Sequence, residues 1–131
     1  QGYHEFTYSL YPHKNDWKQA NSVRKGYELN TPLQVLLLEK NKTQLSVLPP
    51  TAELINLKAE NLILMALKIT EDNSNNILLR GYECHGESVN LSFDNLLNLS
   101  LKTRVNLLED EIKNQDKLIN PYQIFNFCLD F

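Results

Sequence analysis

With only four glycines in 131 residues, the chain has little from which to build a glycine-rich loop around a phosphate. No serine elbow of the hydrolase type is present either. Two cysteines, Cys84 and Cys128, are too few for a disulfide framework. They pair only if the fold brings them together, and the expectation is two buried free thiols acting as small apolar residues. No apolar run approaches the roughly twenty residues of a membrane span, and no signal peptide opens the chain. The sequence therefore predicts no membrane partner and a cytoplasmic location. Charge of either sign is not in excess: 13 Lys and Arg against 16 Asp and Glu leave a net −3. A broad phosphate-binding surface is excluded on that balance, and no nucleic-acid partner is expected.

What is present reads as one β-rich domain over residues 1–131. From His4 to Tyr11, Phe6, Tyr8 and Leu10 alternate with Glu5, Thr7 and Ser9, the two-residue period of a half-buried strand that Pro12 ends. Asn15 or Asp16 then caps an expected helix from about Trp17 to Glu28, closed by Asn30-Thr31-Pro32. Packing of that helix on the sheet through Trp17 predicts that Trp17→Ala costs roughly 3–5 kcal/mol.

The remainder reads as strands: Leu33–Leu38 as an almost unbroken apolar run, a weaker Gln44–Leu48, then Glu53–Leu57 and Asn61–Thr70. Residues 58–61 form a tight connection. The polar run Glu71–Asn76 is a hairpin loop leading into Ile77–Cys84. Gly86 punctuates, and Glu87–Phe93 follows. Leu101, Thr103, Val105 and Leu107 alternate again, and after Pro121 the stretch Tyr122–Phe131 places Phe125, Phe127, Leu129 and Phe131 on one face. Asn95–Leu99 and Leu107–Lys117 stay open to a helical turn and a short helix. Short strands separated by turn residues indicate a mainly β fold, an antiparallel β-sandwich with one short helix inserted near the amino terminus.

Candidate chemistry is sparse. Glu5, Glu83 and Glu87 lie on or beside strands, where two carboxylates can converge for glycoside hydrolysis, but solvent-facing glutamates on alternate positions are the simpler reading. His4, His13, Cys84 and His85 are zinc-ligand types without the closely spaced pairs of a zinc site, and the adjacent Cys84 and His85 point to opposite faces of a strand. Tyr3, Phe6, Tyr8, Tyr11, Trp17 and Tyr27 suit a sugar-stacking platform, yet the spacing of Phe6, Tyr8, Trp17 and Tyr27 favours helix-on-sheet packing. Asn41-Lys42-Thr43, Asn90-Leu91-Ser92 and Asn98-Leu99-Ser100 match the glycosylation pattern in an asparagine-rich chain. No catalytic, cofactor-binding or metal residue is assigned.

Three blocks carry a resemblance. "HEFTYSLYPHKNDWKQA" with "VRKGYELNTPL" resembles the start of the carboxy-terminal β-sandwich region of bacterial-type α-mannosidases, glycoside hydrolase family 38, where a phrase like H-E-F-x-Y-x-L-Y-P-H precedes D-W and a helix. "NLILMALKITEDNSNNILLRGYECHGES" is similar to the family's V-x-L-x-A-L-K-x-A-E-D … L-I-L-R-x-Y-E, and "NPYQIFNFCLDF" to its final strand. The stretch 41–57 carries no signature. Asn15 stands where the family has glycine, and both tolerate positive φ. Cys84-His85-Gly86 replaces a stretch that usually contains asparagine or proline.

The resemblance implies a zinc-dependent retaining exo-α-mannosidase whose zinc ligands and aspartate nucleophile lie in an amino-terminal α/β domain. None of them maps onto this sequence. The chain, opening abruptly at Gln1, is then expected to be an inactive carboxy-terminal fragment. Its partners would be the amino-terminal catalytic domain of the same polypeptide and, for the whole enzyme, mannose-containing carbohydrate. A stand-alone carbohydrate-binding β-sandwich module and a plain interaction domain are the other readings open at this point.

Overall fold

The computed structural model describes residues 2–37, 50–72 and 76–130. They fall into two compact units, Gln1–Gln44 and Leu45–Phe131.

The second unit is built on a hairpin. β2 (Leu62–Ile69) and β3 (Ile77–Glu83) pair antiparallel from Leu62 opposite Glu83 to Ile69 opposite Ile77. Thr70 N–H donates to the Asn76 carbonyl at 3.0 Å across their connection, whose residues 73–75 lie outside the described set. β8 (Ile124–Asp130) adds beside β3, with Leu79 opposite Phe127, and β6 (Ser100–Arg104) closes the sheet in the order β2-β3-β8-β6. Side chains alternate across a pleated strand. Phe125, Phe127 and Leu129 therefore share one face, as the sequence predicts, and Leu79 of β3 joins them.

Against that face lie two short antiparallel ribbons. One joins β1 (Ile55–Asn56) to β5 (Asp94–Asn95), the other β4 (Val89–Asn90) to β7 (Leu118–Ile119). Leu57, Leu91, Leu99 and Ile119 come from or beside the ribbons and bury themselves among the sheet residues. Apolar faces of two layers meeting in this way give the expected antiparallel sandwich. The opposite face of the sheet carries a smaller cluster of Leu78, Val105 and Cys128. Consequently every residue from Phe125 to Leu129 is buried.

Several expected elements are shorter than the sequence suggests. Glu53–Leu57 contracts to β1, Glu87–Phe93 to β4, and the alternation through Leu107 stops at Arg104, after a register shift between Leu101 and Thr103. The two helical options fail for a shared reason: asparagine side chains compete for the backbone donors a helix would use. Asn95 Oδ1 accepts from Leu97 and Leu99 N–H, and Asn106 Oδ1 accepts from Leu108 and Asp110 N–H.

The first unit corrects the reading most. His4–Tyr11 forms no strand, and Phe6, Tyr8 and Leu10 are 81%, 78% and 89% exposed. Leu33–Leu37 is likewise exposed and irregular, while Leu38 and the expected strand Gln44–Leu48 lie outside the described residues. Alternation expresses a preference, but a strand also needs a neighbour to accept its hydrogen bonds.

The single helix among the described residues is α1, Ser22–Asn30, not Trp17–Glu28. Residues 17–21 form turns, with Asp16 Oδ1 accepting from Gln19 N–H at 2.9 Å and Asn21 at φ 53° delaying the helix. Asn15 adopts φ 64°, the left-handed conformation its place before Asp16-Trp17 calls for. α1 buries none of its residues, and Trp17 is 41% exposed. The core role expected of Trp17 is thus overturned. Trp17→Ala should alter the free energy of urea unfolding by less than about 1 kcal/mol; a loss near 3 kcal/mol would show the indole to be buried.

Candidate functional site

β3 ends on an unusual group. Ile77, Leu79, Gly81 and Glu83 follow one another on a single face of the strand, so the alternation carries a carboxylate into the interior. Glu83 is 0% exposed. Its Oε1 accepts from Asn61 Nδ2 at 2.9 Å and from His85 N–H at 2.7 Å; its Oε2 accepts from Gly86 N–H at 2.8 Å and Tyr122 N–H at 2.9 Å. Gly86 and Tyr122 both take positive φ, 77° and 57°, which bends their backbone around the carboxylate. The Tyr122 ring then lies against Gly86, so closely that a Cβ there would stand 2.6 Å from the phenol oxygen.

Burial on its own pushes the Glu83 carboxyl up. The N–H groups of Tyr122 and His85, the Asn61 amide and the Gly86 N–H outweigh it and hold the group down at about 2, from an ordinary 4.5. This carboxylate is ionised, fully coordinated by donors and closed to solvent. It offers neither a proton to donate nor an open lone pair with which to attack. Its work is mechanical, tying the start of β2, the exit of β3 and the turn before β8 to one point.

A second buried charge makes a clasp on β6, on the far side of β8 from β3. Arg104 Nη1 donates to the carbonyls of Asp116 at 2.8 Å and Leu118 at 3.2 Å, with its guanidinium carbon 5.5 Å from the Phe127 ring centre. Gln115 completes the clamp by accepting from Arg104 N–H at 2.6 Å. The clamp replaces the short helix considered for Leu107–Lys117. Arg104→Met keeps the apolar stem but leaves those carbonyls without their charged donor. It should cost about 2 kcal/mol in urea unfolding; an unchanged midpoint would show that water replaces the guanidinium. Beside this clamp runs a groove of about 430 Å³ lined by Leu107, Leu108, Ile112 and Ile124 among others. On the sheet's outer face Lys68 Nζ meets Glu109 at 2.8 Å, which holds the Glu109 carboxyl below its usual range and Lys68 above its own.

The other candidates do not assemble into a reactive centre. Glu5 and Glu87 are exposed, and Glu83 has all its acceptor positions occupied, so no acid and nucleophile face each other here. Cys84 and Cys128 are buried and not joined in a disulfide, as expected, and burial pushes the Cys128 thiol up. His4 is exposed; His13 lines a cavity of about 490 Å³ beside α1 with Tyr11, Ser22 and Lys25, and Lys25 already pairs with Glu28 at 2.7 Å. Among the described residues no three of His, Cys, Asp and Glu come together as metal ligands. Phe6, Tyr8 and Trp17 are exposed, contrary to the packing their spacing suggests, and Tyr3 and Tyr11 are exposed as well. Asn90 and Asn98 are exposed, and Asn41 lies outside the described residues. Among them, no helix is long and apolar enough to cross a membrane.

Comparison with known proteins fits a scaffold of this kind. The family model for the glycosyl hydrolases family 38 C-terminal beta sandwich domain matches residues 61–127, from the entrance of β2 into β8. The chain is 28% identical over 139 residues to Alpha-mannosidase G of Dictyostelium discoideum, a match covering 96% of this chain and 12% of that protein. It is 32% identical over 118 residues to Alpha-mannosidase 2C1 of Homo sapiens, covering 88% and 10%. For Alpha-mannosidase 2C1 of Mus musculus the figures are 31% over 139 residues, covering 98% and 13%. The chain thus spans roughly a tenth of the length of these curated relatives. No solved structure matches it. Because the matched region holds the whole β2-β3 hairpin, β6 and the Glu83 clasp within just over half of the chain, the chain belongs to the glycosyl hydrolases family 38 C-terminal beta sandwich domain family.

Proposed function

We propose that this chain is the non-catalytic carboxy-terminal sandwich domain of an α-mannosidase that removes terminal α-linked mannose from carbohydrate. The observation that carries the reading is the family match over residues 61–127, where the one buried carboxylate is consumed by structure. On this reading zinc and the nucleophile belong to a separate catalytic domain of the polypeptide. The donors described here do not fit a metal, so no chemical step is assigned to this chain. Its part is to complete and shield the enzyme's body. Assaying an aryl α-mannoside tests this directly. The complete reading frame should turn it over and the 131-residue chain should not. Turnover by the chain alone, or none by the complete protein, overturns the proposal.

A second reading, a carbohydrate-binding module, draws on the exposed rings of Tyr3, Phe6, Tyr8 and Trp17. Titrating the chain with mannose and mannobiose distinguishes it: saturable amide shifts clustered at those rings favour the module, and their absence favours the scaffold.

A further inference from the structure

We infer that His4–Tyr11 is a strand without its sheet, which adds to a sheet edge in the remainder of the α-mannosidase polypeptide. The inference rests on the proposed function. Its first support is the pattern: Phe6, Tyr8 and Leu10 point one way in an extended chain, Glu5, Thr7 and Ser9 the other, and Pro12 ends the run. Phe6 and Tyr8 already lie side by side, ring centres 6.3 Å apart. The second is exposure. A row of large apolar side chains stands in solvent on backbone that, among the described residues, belongs to no strand. Neighbouring α1 buries no residue, so among the described residues it does not supply the missing layer.

The identity of the occupant follows from length. The match to the mouse relative covers 98% of this chain, which leaves only about three residues outside it and brings His4–Tyr11 within it. In that relative nearly nine-tenths of the polypeptide lies beyond the matched region. Ample polypeptide is therefore at hand to present an edge. Period two selects a sheet edge as the contact, because a partner helix would call for apolar residues at three- and four-residue spacing. A sugar is the poorer occupant: the two rings are tilted by 32° and the free backbone donors and acceptors of the segment would stay unpaired.

Amide hydrogen exchange tests the assignment. Amides of residues 5–11 should exchange at free-peptide rates in the 131-residue chain, and every second one of them about 100-fold or more slowly in the complete enzyme. Thr7→Pro and Tyr8→Pro sharpen the result. On an added edge strand alternate residues face the partner, so one proline should abolish the protection and the other preserve it. Free exchange of residues 5–11 in the complete enzyme, full protection already in the 131-residue chain, or two prolines of equal effect each overturn the inference. Retained α-mannoside hydrolysis with an unprotected segment defeats it alone, whereas absent hydrolysis defeats the functional reading on which it stands.

Discussion

Glu83→Ala should lower the unfolding free energy of the chain by about 3–5 kcal/mol, read from urea denaturation. The size comes from counting what is left behind. Three backbone N–H groups and the Asn61 amide lose their acceptor together, at a site with no exposed surface. A buried donor without a partner costs about 1–3 kcal/mol, and relaxation or entering water recovers part of the total. Glu83→Gln is the gentler probe. Its amide oxygen can serve one pair of donors, but its NH₂ then faces the other pair, so a loss of roughly 2–3 kcal/mol is expected.

The same site sets an acid limit. The carboxyl of Glu83 is held at about 2 in the folded chain, against 4.5 unperturbed. A depressed folded value means that the stabilisation is complete above pH 4.5 and is withdrawn as pH falls towards 2. The amount withdrawn is at most roughly 3 kcal/mol. The parent chain should therefore lose stability more steeply than Glu83→Gln across that window, and the two should run parallel at neutral pH. Parallel curves all the way to pH 2 would mean that the carboxylate is not held as described.

The sandwich was legible where strands have neighbours close in sequence. β2 and β3 announce themselves by apolar content on either side of a polar loop, and β8 by Phe125, Phe127 and Leu129 in phase. The ribbons were overestimated because asparagines such as Asn95 draw the backbone into local loops before a longer ladder forms. His4–Tyr11 carries a clear alternation and still makes no strand, since pairing is a property of the partner as much as of the segment. Glu83 is buried, not solvent-facing as the simpler reading of its sequence position has it. Its phase with Leu79 and Gly81 marks it as inward-facing. His85 and Gly86 donate from close by, but the other two donors come from Asn61, 22 residues earlier, and Tyr122, 39 later, which no local pattern connects. The enzymatic reading came from family resemblance, not from any reactive constellation in these residues.

Gly81→Ala should destabilise the chain by about 2–4 kcal/mol, although the change adds a single methyl group. Gly81 sits inside β3, opposite Phe125 of β8 and next to the register shift between Leu64 and Ala66 in β2. An added Cβ would meet the tip of the Phe125 ring and stand 2.6 Å from the Ile63 carbonyl oxygen. Glycine in a strand ordinarily weakens it; here its bare backbone makes room for a ring that is 1% exposed and 6.4 Å from Phe127. The two obstacles separate by experiment. Phe125→Leu should relieve the first and leave the second, since a main-chain oxygen in a paired sheet has little freedom to retreat. The double variant is therefore expected to be more stable than the summed single losses predict, by about 1 kcal/mol, while remaining below Phe125→Leu alone. Strict additivity would show that the methyl group never reaches the ring, and a Gly81→Ala variant within about 0.5 kcal/mol of the parent would show that the sheet opens to admit it.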